Sequence, residues 1–240
     1  MSKVERLDKV LSNMGYGSRK EIKKALKDGL VKVNGKIISK NGVKVKPFED
    51  EIYFNNNLVE YREYIYLMMN KPDGYVSSTD DPVSQTVLEL LEYEHQIFNP
   101  FPAGRLDKDT EGFLLLTNDG KLAHNLLSPK KQIPKTYYAK VEGIVTEKTV
   151  EAFKKGVTLD DGYETAPGDL EIVKSDVISE IYLTITEGKF HQVKRMFNTQ
   201  GMEVIYLKRV RFAYMDLDES LELGEYRELT DEEVEELKNL

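Results

Sequence analysis

Asp107 lies in Gly104-Arg105-Leu106-Asp107-Lys108-Asp109-Thr110-Glu111-Gly112, a charged loop bracketed by glycines. The apolar run Phe113-Leu114-Leu115-Leu116-Thr117 and the turn Asn118-Asp119-Gly120 follow it. A short loop backed by a buried strand holds a carboxylate rigidly. Two further segments set polar residues beside apolar ones: Lys135-Thr136-Tyr137-Tyr138, and the stretch from Thr186 to Phe197 that contains His191, Gln192, Lys194 and Arg195. Taken singly, the first reads equally well as a half-buried edge strand and the second as a solvated helix face. Together, a fixed acid, a tyrosine and a cation suffice for work on a nucleoside. The carboxylate acts on sugar or base, the ring stacks on the extruded base, and the cation keeps the carboxylate ionised. Asp109, two residues on, invites an acid and base pair, but hydrolytic glycosidases hold their carboxyls about 5 Å or more apart around a sugar. Its expected role is to cap or brace the loop with Thr110.

The elements that position these residues follow from periodicity. Leu7, Val10, Leu11 and Met14 recur at helical spacing within Glu5 to Met14, and Gly15-Tyr16-Gly17 ends the run. Ser18 and Glu21 form a capping box for a second helix with Ile22, Ala25 and Leu26 inward and Gly29 as its stop. Arg19, Lys20, Lys23, Lys24 and Lys27 then fall on its outer faces. Leu30 to Val33 alternates as a strand, Asn34-Gly35 signals a hairpin, and Val43 to Lys46 alternates again. The result is an α-α-β module with lysines facing outward, a surface that can grip a phosphate backbone without reading bases.

Phe54 to Leu58 reads as a polar connector, and a boundary near Glu60 gives domains 1–60 and 61–240. Beyond it, strands are expected at Ile65 to Met69, Thr136 to Val141, Leu170 to Val173 and Ile181 to Thr186, with Asn70 to Gly74 as a loop. Helices are expected near Val87 to Leu91, Thr149 to Lys155 and Gln192 to Asn198, and after the capping box Thr230 to Glu233. This order predicts an α+β domain on a largely antiparallel mixed sheet flanked by helices and loops.

Composition narrows the classes. The 240 residues are 40% apolar and include no cysteine, which excludes disulfides and thiolate catalysis. His95, His124 and His191 lack metal-ligand spacing, so no metal is expected, and the last two read as structural or RNA-contacting. The charged start and the lack of a membrane-length apolar run predict a cytoplasmic location with no membrane partner. Nothing resembles a coiled coil, and a monomer is expected. The formal net charge of -8 hides an asymmetry: residues 1–46 hold 13 Lys and Arg against 4 Asp and Glu, while residues 216–240 hold 2 against 11. The basic part can meet phosphate while the acidic tail stays in solvent.

Arg6-Leu7-Asp8, Gly17-Ser18-Arg19 and Gly29-Leu30-Val31-Lys32-Val33-Asn34-Gly35 resemble the αL-type RNA-binding domain first recognised in a small-subunit ribosomal protein. The signature G-R-L-D-x-x-T-x-G-x-L-L-L-T-N-D-G of the RsuA-like pseudouridine synthases is matched from Gly104 to Gly120, with Phe113 for the usual leucine. With Lys135-Thr136-Tyr137 and the Glu187 to Phe197 motif in order, the resemblance runs nearly end to end.

The resemblance implies an isomerase of the pseudouridine synthase fold with no cofactor. Asp107 would be the catalytic aspartate, Tyr137 would pack on the uracil, and Lys194, in preference to Arg195, would pair with Asp107. Arg105 would fill the gap left by the flipped uridine. Arg195, Arg19, Lys20, Lys23, Lys24 and Lys27 would bind RNA. His191-Gln192-Val193-Lys194-Arg195-Met196 follows the small-subunit pattern of the family, which implies a uridine in 16S rRNA or an assembling small subunit as target. A non-catalytic RNA-binding assembly factor, a large-subunit rRNA synthase and a base-releasing glycosylase are the alternatives. Glu111 departs from the family, where a small polar residue is usual, and puts a negative charge beside the expected RNA path.

Overall fold

The computed structural model describes residues 3–240. Two compact units are resolved: one holds the chain up to Ile65 together with Leu91–Pro100, the other Tyr66–Leu90 together with Phe101–Leu240. The segment Leu91–Pro100 therefore belongs with the N-terminal unit, although it lies beyond the Glu60 boundary drawn from sequence. Arg62 stacks over Phe98 at 5.6 Å within this unit.

In the first unit, helices Leu7–Asn13 and Arg19–Lys27 pack their apolar faces on a four-stranded sheet. Leu7, Leu11, Ile22, Leu26, Val31 and Ile52 are almost wholly buried there. The Ser18 capping box forms in both directions, with Glu21 N donating to Ser18 Oγ and Ser18 N to Glu21 Oε2. The first helix begins at Leu7, two residues later than its apolar spacing suggested, because Glu5–Arg6 pairs as a strand with Lys44–Val45. Arg6 forks onto Asp8 at 2.9 and 2.8 Å, so the Arg-Leu-Asp motif is a local charge clamp with Asp8 buried.

Residues Phe54 to Leu58 are not a connector. Ile52–Phe54 pairs with Asn57–Leu58, and Asn55 and Asn56 turn between them at φ of 47° and 65°. Two adjacent left-handed residues make the tight turn that fits strand twist, and asparagine tolerates that region.

The second unit is built on one twisted sheet. Its strand order is Asp169–Lys174, Ile178–Ile185, Lys135–Glu142, Glu203–Phe212, Glu111–Thr117, Tyr66–Lys71, Tyr226–Glu228. All neighbours are antiparallel except Glu111–Thr117 beside Glu203–Phe212, so the sheet is mixed and mostly antiparallel, as expected. Asn70 and Lys71 end a buried strand and are not part of a loop; the apolar stretch Leu67 to Met69 carries them into the sheet. Val87–Leu90 forms a single 3-10 turn. Helices Gly120–Leu127 and Asp231–Lys238 cover a core of Met68, Phe113, Leu115 and Phe212. The Phe153 and Phe197 rings meet edge to face at 4.9 Å, joining helices Glu147–Lys155 and Gln192–Asn198. No described helix is long and apolar enough to cross a membrane.

Candidate active site

The loop bearing Asp107 is held from behind by buried polar groups. Lys71 is fully buried, and its Nζ donates to the carbonyls of Pro72 at 2.9 Å, Lys108 at 3.0 Å and Thr110 at 2.9 Å. Burial lowers its pKa to about 8, against the opposing pull of Asp73, Asp109, Glu111 and Asp107. Ser77 grips Leu106 twice, its Oγ donating to Leu106 O at 3.0 Å and accepting from Leu106 N at 3.1 Å. Gly74 N donates to Lys108 O at 3.0 Å.

At the far end of the loop Gly112 has φ of 100°, and a Cβ there would lie 2.2 Å from Arg209 O. Only glycine lets Glu111–Thr117 approach Glu203–Phe212 at this point. None of Lys71, Ser77 or Arg209 was singled out from sequence. The one available signal was a lysine closing an apolar run just before Pro72-Asp73-Gly74.

In front of the loop stands helix Gln192–Asn198. Lys194 Nζ lies 3.9 Å from Asp107 Oδ2, and His191 Nε2 lies 3.7 Å from Asp107 Oδ1. His191 is the N-cap of that helix and sits in the left-handed region at φ of 48°, which turns its ring toward Asp107 and onto Phe190, with centroids 3.8 Å apart.

The direct partner of Lys194 is Asp109, at 2.6 and 2.7 Å from its two oxygens. Asp109 thus ties the loop to the helix, whereas Thr110 Oγ1 has no partner among the described residues. Burial pushes the Asp109 carboxyl up, but the Lys194 hydrogen bond and charge outweigh it and leave the pKa below its ordinary value. Lys194 is therefore shared between two carboxylates.

Arg195 points elsewhere. Its guanidinium engages Asp160 and Asp161, and it lines a separate hollow with Thr158 and Asn198. Gln192 is buried, accepting from Lys189 N at 2.9 Å and donating to Glu187 at 2.8 Å, so it shapes the loop before the helix.

Tyr137 and Asp107 line one small cavity of about 70 Å³ together with Arg105, Thr110, His191 and Gln192. It opens beside a cleft of about 490 Å³ that shares Arg105, Tyr137, Gly188 and Lys189 with it. Tyr137 is 8% exposed, and its hydroxyl has no hydrogen-bond partner among the described residues. Arg105 is exposed and likewise unpaired among them.

A larger hollow of about 590 Å³ is lined by Asp169, Glu171, Asp216, Asp218 and Glu219, an acidic lining ill suited to RNA. Glu111 is tied away from the Tyr137 side. It accepts the Tyr206 hydroxyl at 2.6 Å, and Tyr206 packs on Tyr138, which alternates to the face opposite Tyr137. Burial and this hydrogen bond raise the Tyr206 pKa.

Within the described residues no group of acids and histidines could hold a metal ion. In the first unit, Arg19, Lys20, Lys23, Lys24 and Lys27 are all exposed along the outside of helix Arg19–Lys27.

Residues 65–199 match the family model of RNA pseudouridylate synthases, and residues 5–52 match the S4 domain. The chain belongs to the RNA pseudouridylate synthase family. It is 53% identical over 230 residues to an uncharacterized RNA pseudouridine synthase, YtzG, of Bacillus subtilis, covering 95% of this chain and 96% of that protein. It is 42% identical to ribosomal large subunit pseudouridine synthase B of Bacillus subtilis, covering 99% and 97%. It is also 40% identical to ribosomal small subunit pseudouridine synthase A of Escherichia coli, covering 95% and 98%. Family membership makes this an isomerase that acts on RNA, with an S4 domain ahead of a pseudouridine synthase domain.

Proposed function

We propose that this enzyme converts one uridine of 16S rRNA to pseudouridine, in the cytoplasm, as a monomer. The observation that carries the catalytic part is the anchoring of Asp107 behind by Lys71 and Ser77 with Lys194 and His191 in front. The loop is fixed before substrate arrives, so little reorganisation is needed in the reaction.

Asp107 either attacks C1′ of the flipped uridine or removes a ribose proton. In either case the N1–C1′ bond breaks with its electron pair leaving on the uracil. The base turns and C5 bonds to C1′, displacing the Asp107 carboxylate in the first case and regaining the ribose proton from it in the second; the C5 proton then departs and N1 gains one. Atoms balance without water or cofactor. Lys194 places a positive charge 3.9 Å from the carboxylate. Tyr137, buried with an unpaired hydroxyl, packs on the uracil and relays the C5 proton to solvent, its oxygen accepting that proton as the hydroxyl gives up its own. Exposed Arg105 occupies the space the uridine vacates, its planar fork facing RNA. The S4 domain supplies sequence-tolerant phosphate contacts through Arg19, Lys20, Lys23, Lys24 and Lys27.

The small-subunit target rests on the Gln192 form of the last motif. Gln192 is buried and bonded to Glu187 and Lys189, so it acts by setting the loop that faces the RNA and reads no base itself. Because the relatives include both ribosomal classes, the test must offer both RNAs. Unmodified 16S and 23S rRNA are incubated with the protein and mapped by carbodiimide adducts that resist alkali. One new stop in 16S is expected. A stop in 23S alone overturns the small-subunit assignment, abasic sites indicate a glycosylase, and unchanged RNA with retained binding indicates an assembly factor.

A further inference from the structure

Three cations drawn wholly or partly out of water are matched by acceptors. Lys71 has three carbonyls, Arg227 has Asp218 and Glu233, and Lys194 has Asp109. Arg209 and Lys135 are different. Arg209 is 2% exposed, yet only its Nε finds an acceptor, Phe113 O at 2.8 Å. Lys135 Nζ has one acceptor, Ile133 O at 2.9 Å. Neither has a carboxylate within ion-pair distance among the described residues.

Both cations lie against the ring of Phe212, Arg209 at 5.3 Å and Lys135 at 5.9 Å. Their proximity is built by the sheet. Lys135 pairs with Phe212 and Tyr137 with Arg209, and a bulge between Thr136 and Tyr137 breaks the register. Without the bulge Arg209 and Arg211 would share a face. With it, Arg211 lines the acidic hollow and pairs with Asp216, while Arg209 lines the cleft beside Asp107.

Two like charges held together on a low-dielectric floor repel each other, and the N–H groups that no protein acceptor meets open onto the cleft, where an anion can join them. The lowered pKa of Lys135, driven by burial and by the charge of Arg209, is consistent with that crowding. The cleft's own acid, Glu187, is already committed to Tyr163, Ala166 and Gln192.

We propose that Arg209 and Lys135 form the floor of a subsite for the RNA phosphodiester that joins the target uridine to its neighbour. The cleft adjoins the Asp107 cavity and shares Arg105, Tyr137, Gly188 and Lys189 with it, so a strand whose base enters the cavity can lay a phosphate in the cleft. Phosphate supplies the planar-fork acceptors that Arg209 lacks and neutralises the pair. The subsite thereby helps draw the uridine out of its stack.

The inference rests on the RNA-modifying reading, and calorimetry separates the two. The full-length protein is titrated with uridine, uridine 5′-monophosphate, uridine 3′-monophosphate and inorganic phosphate. One monophosphate is expected to bind about tenfold more tightly than uridine. Lys135→Met and Arg209→Gln should reduce that preference to about twofold or less in variants with the wild-type circular dichroism. Lys135→Met, at the less buried position, serves alone if Arg209→Gln does not fold. Equal binding of nucleoside and both monophosphates overturns the subsite, as does a preference that survives Lys135→Met. Binding of inorganic phosphate without preference for either monophosphate assigns a free-anion site and also overturns it. A phosphate preference in a protein that forms no pseudouridine would leave the subsite standing and sink the RNA-modifying reading instead.

Discussion

In the N-terminal unit the cations stand in solvent: Lys20, Lys23, Lys24 and Lys27 are exposed on one helix, whose inner face is anchored by Ile22, Ala25 and Leu26. In the second unit the decisive cations have left water, with Lys71 fully buried under the Asp107 loop and Arg209 almost so beside it. Solvated charges act at range, tolerate replacement one at a time and are weakened by salt. Buried ones fix geometry and cannot be moved without leaving an unsatisfied partner. On the proposed function, one half of the molecule holds a polyanion in many registers and the other holds one carboxylate in a single place.

The largest effect expected from breaking this contrast is at the carboxylate itself. Asp107→Asn should lower turnover by about 10⁴-fold or more while rRNA affinity, measured by filter binding, stays within about twofold. Residual activity near wild type would remove Asp107 from the mechanism.

Next comes its support. Lys71→Met removes a donor from the carbonyls of Pro72, Lys108 and Thr110, leaving Lys108 O with Gly74 N alone, and should cost about 2 kcal/mol or more in urea unfolding. It should also cost about 10²-fold in turnover through displacement of the loop. A variant that loses stability but keeps its turnover would show the loop to be set without Lys71, by Ser77, Gly74 and Lys194.

On the solvated side, changing Lys23, Lys24 and Lys27 together to glutamine should reduce the slope of log affinity against log salt by about 2 to 3. An unchanged slope would locate the phosphate contacts elsewhere.

The smallest expected effect is alkaline. Burial, with the charge of Arg209, pushes the Lys135 ammonium down to about 8 when folded, against an ordinary value near 10.4 in the unfolded chain. Below pH 8 both states are protonated and the fold bears the cost of the buried charge. Between about pH 8 and 10.4 only the unfolded chain keeps the proton, so stability gains with rising pH. Moving from pH 7.5 to 9.5, wild type should gain about 1 kcal/mol on Lys135→Met, allowing for solvent reaching the partly exposed amine.

What the sequence made legible was local. The capping box at Ser18, the strand from Lys135 and the helix Gln192–Asn198 all come from short-range periodicity and cap chemistry, and the Asp107 loop came from its motif. The Asn55-Asn56 hairpin was misread because the asparagines register as polarity, and their tolerance of positive φ leaves no periodic trace. Lys194 and Arg195 are consecutive, and only the phase of the helix separates one that reaches Asp107 from one tied to Asp160. Lys71 and Arg209 were invisible for a deeper reason. Each depends on a carbonyl 37 or more positions away, Lys108 O for Lys71 and Phe113 O for Arg209, which composition and spacing do not encode.

The Asp107 loop ends where Gly112 is laid against Arg209, in the sheet's one parallel pairing. That contact spans nearly a hundred residues, and such long closures form late. On the ribosome, where domains fold as they emerge, residues 104 to 112 leave the tunnel long before the strand that seats them. The nascent chain can thus display its S4 domain to RNA while its carboxylate is still unseated. Pairing of the strand Glu203–Phe212 becomes the event that arms it.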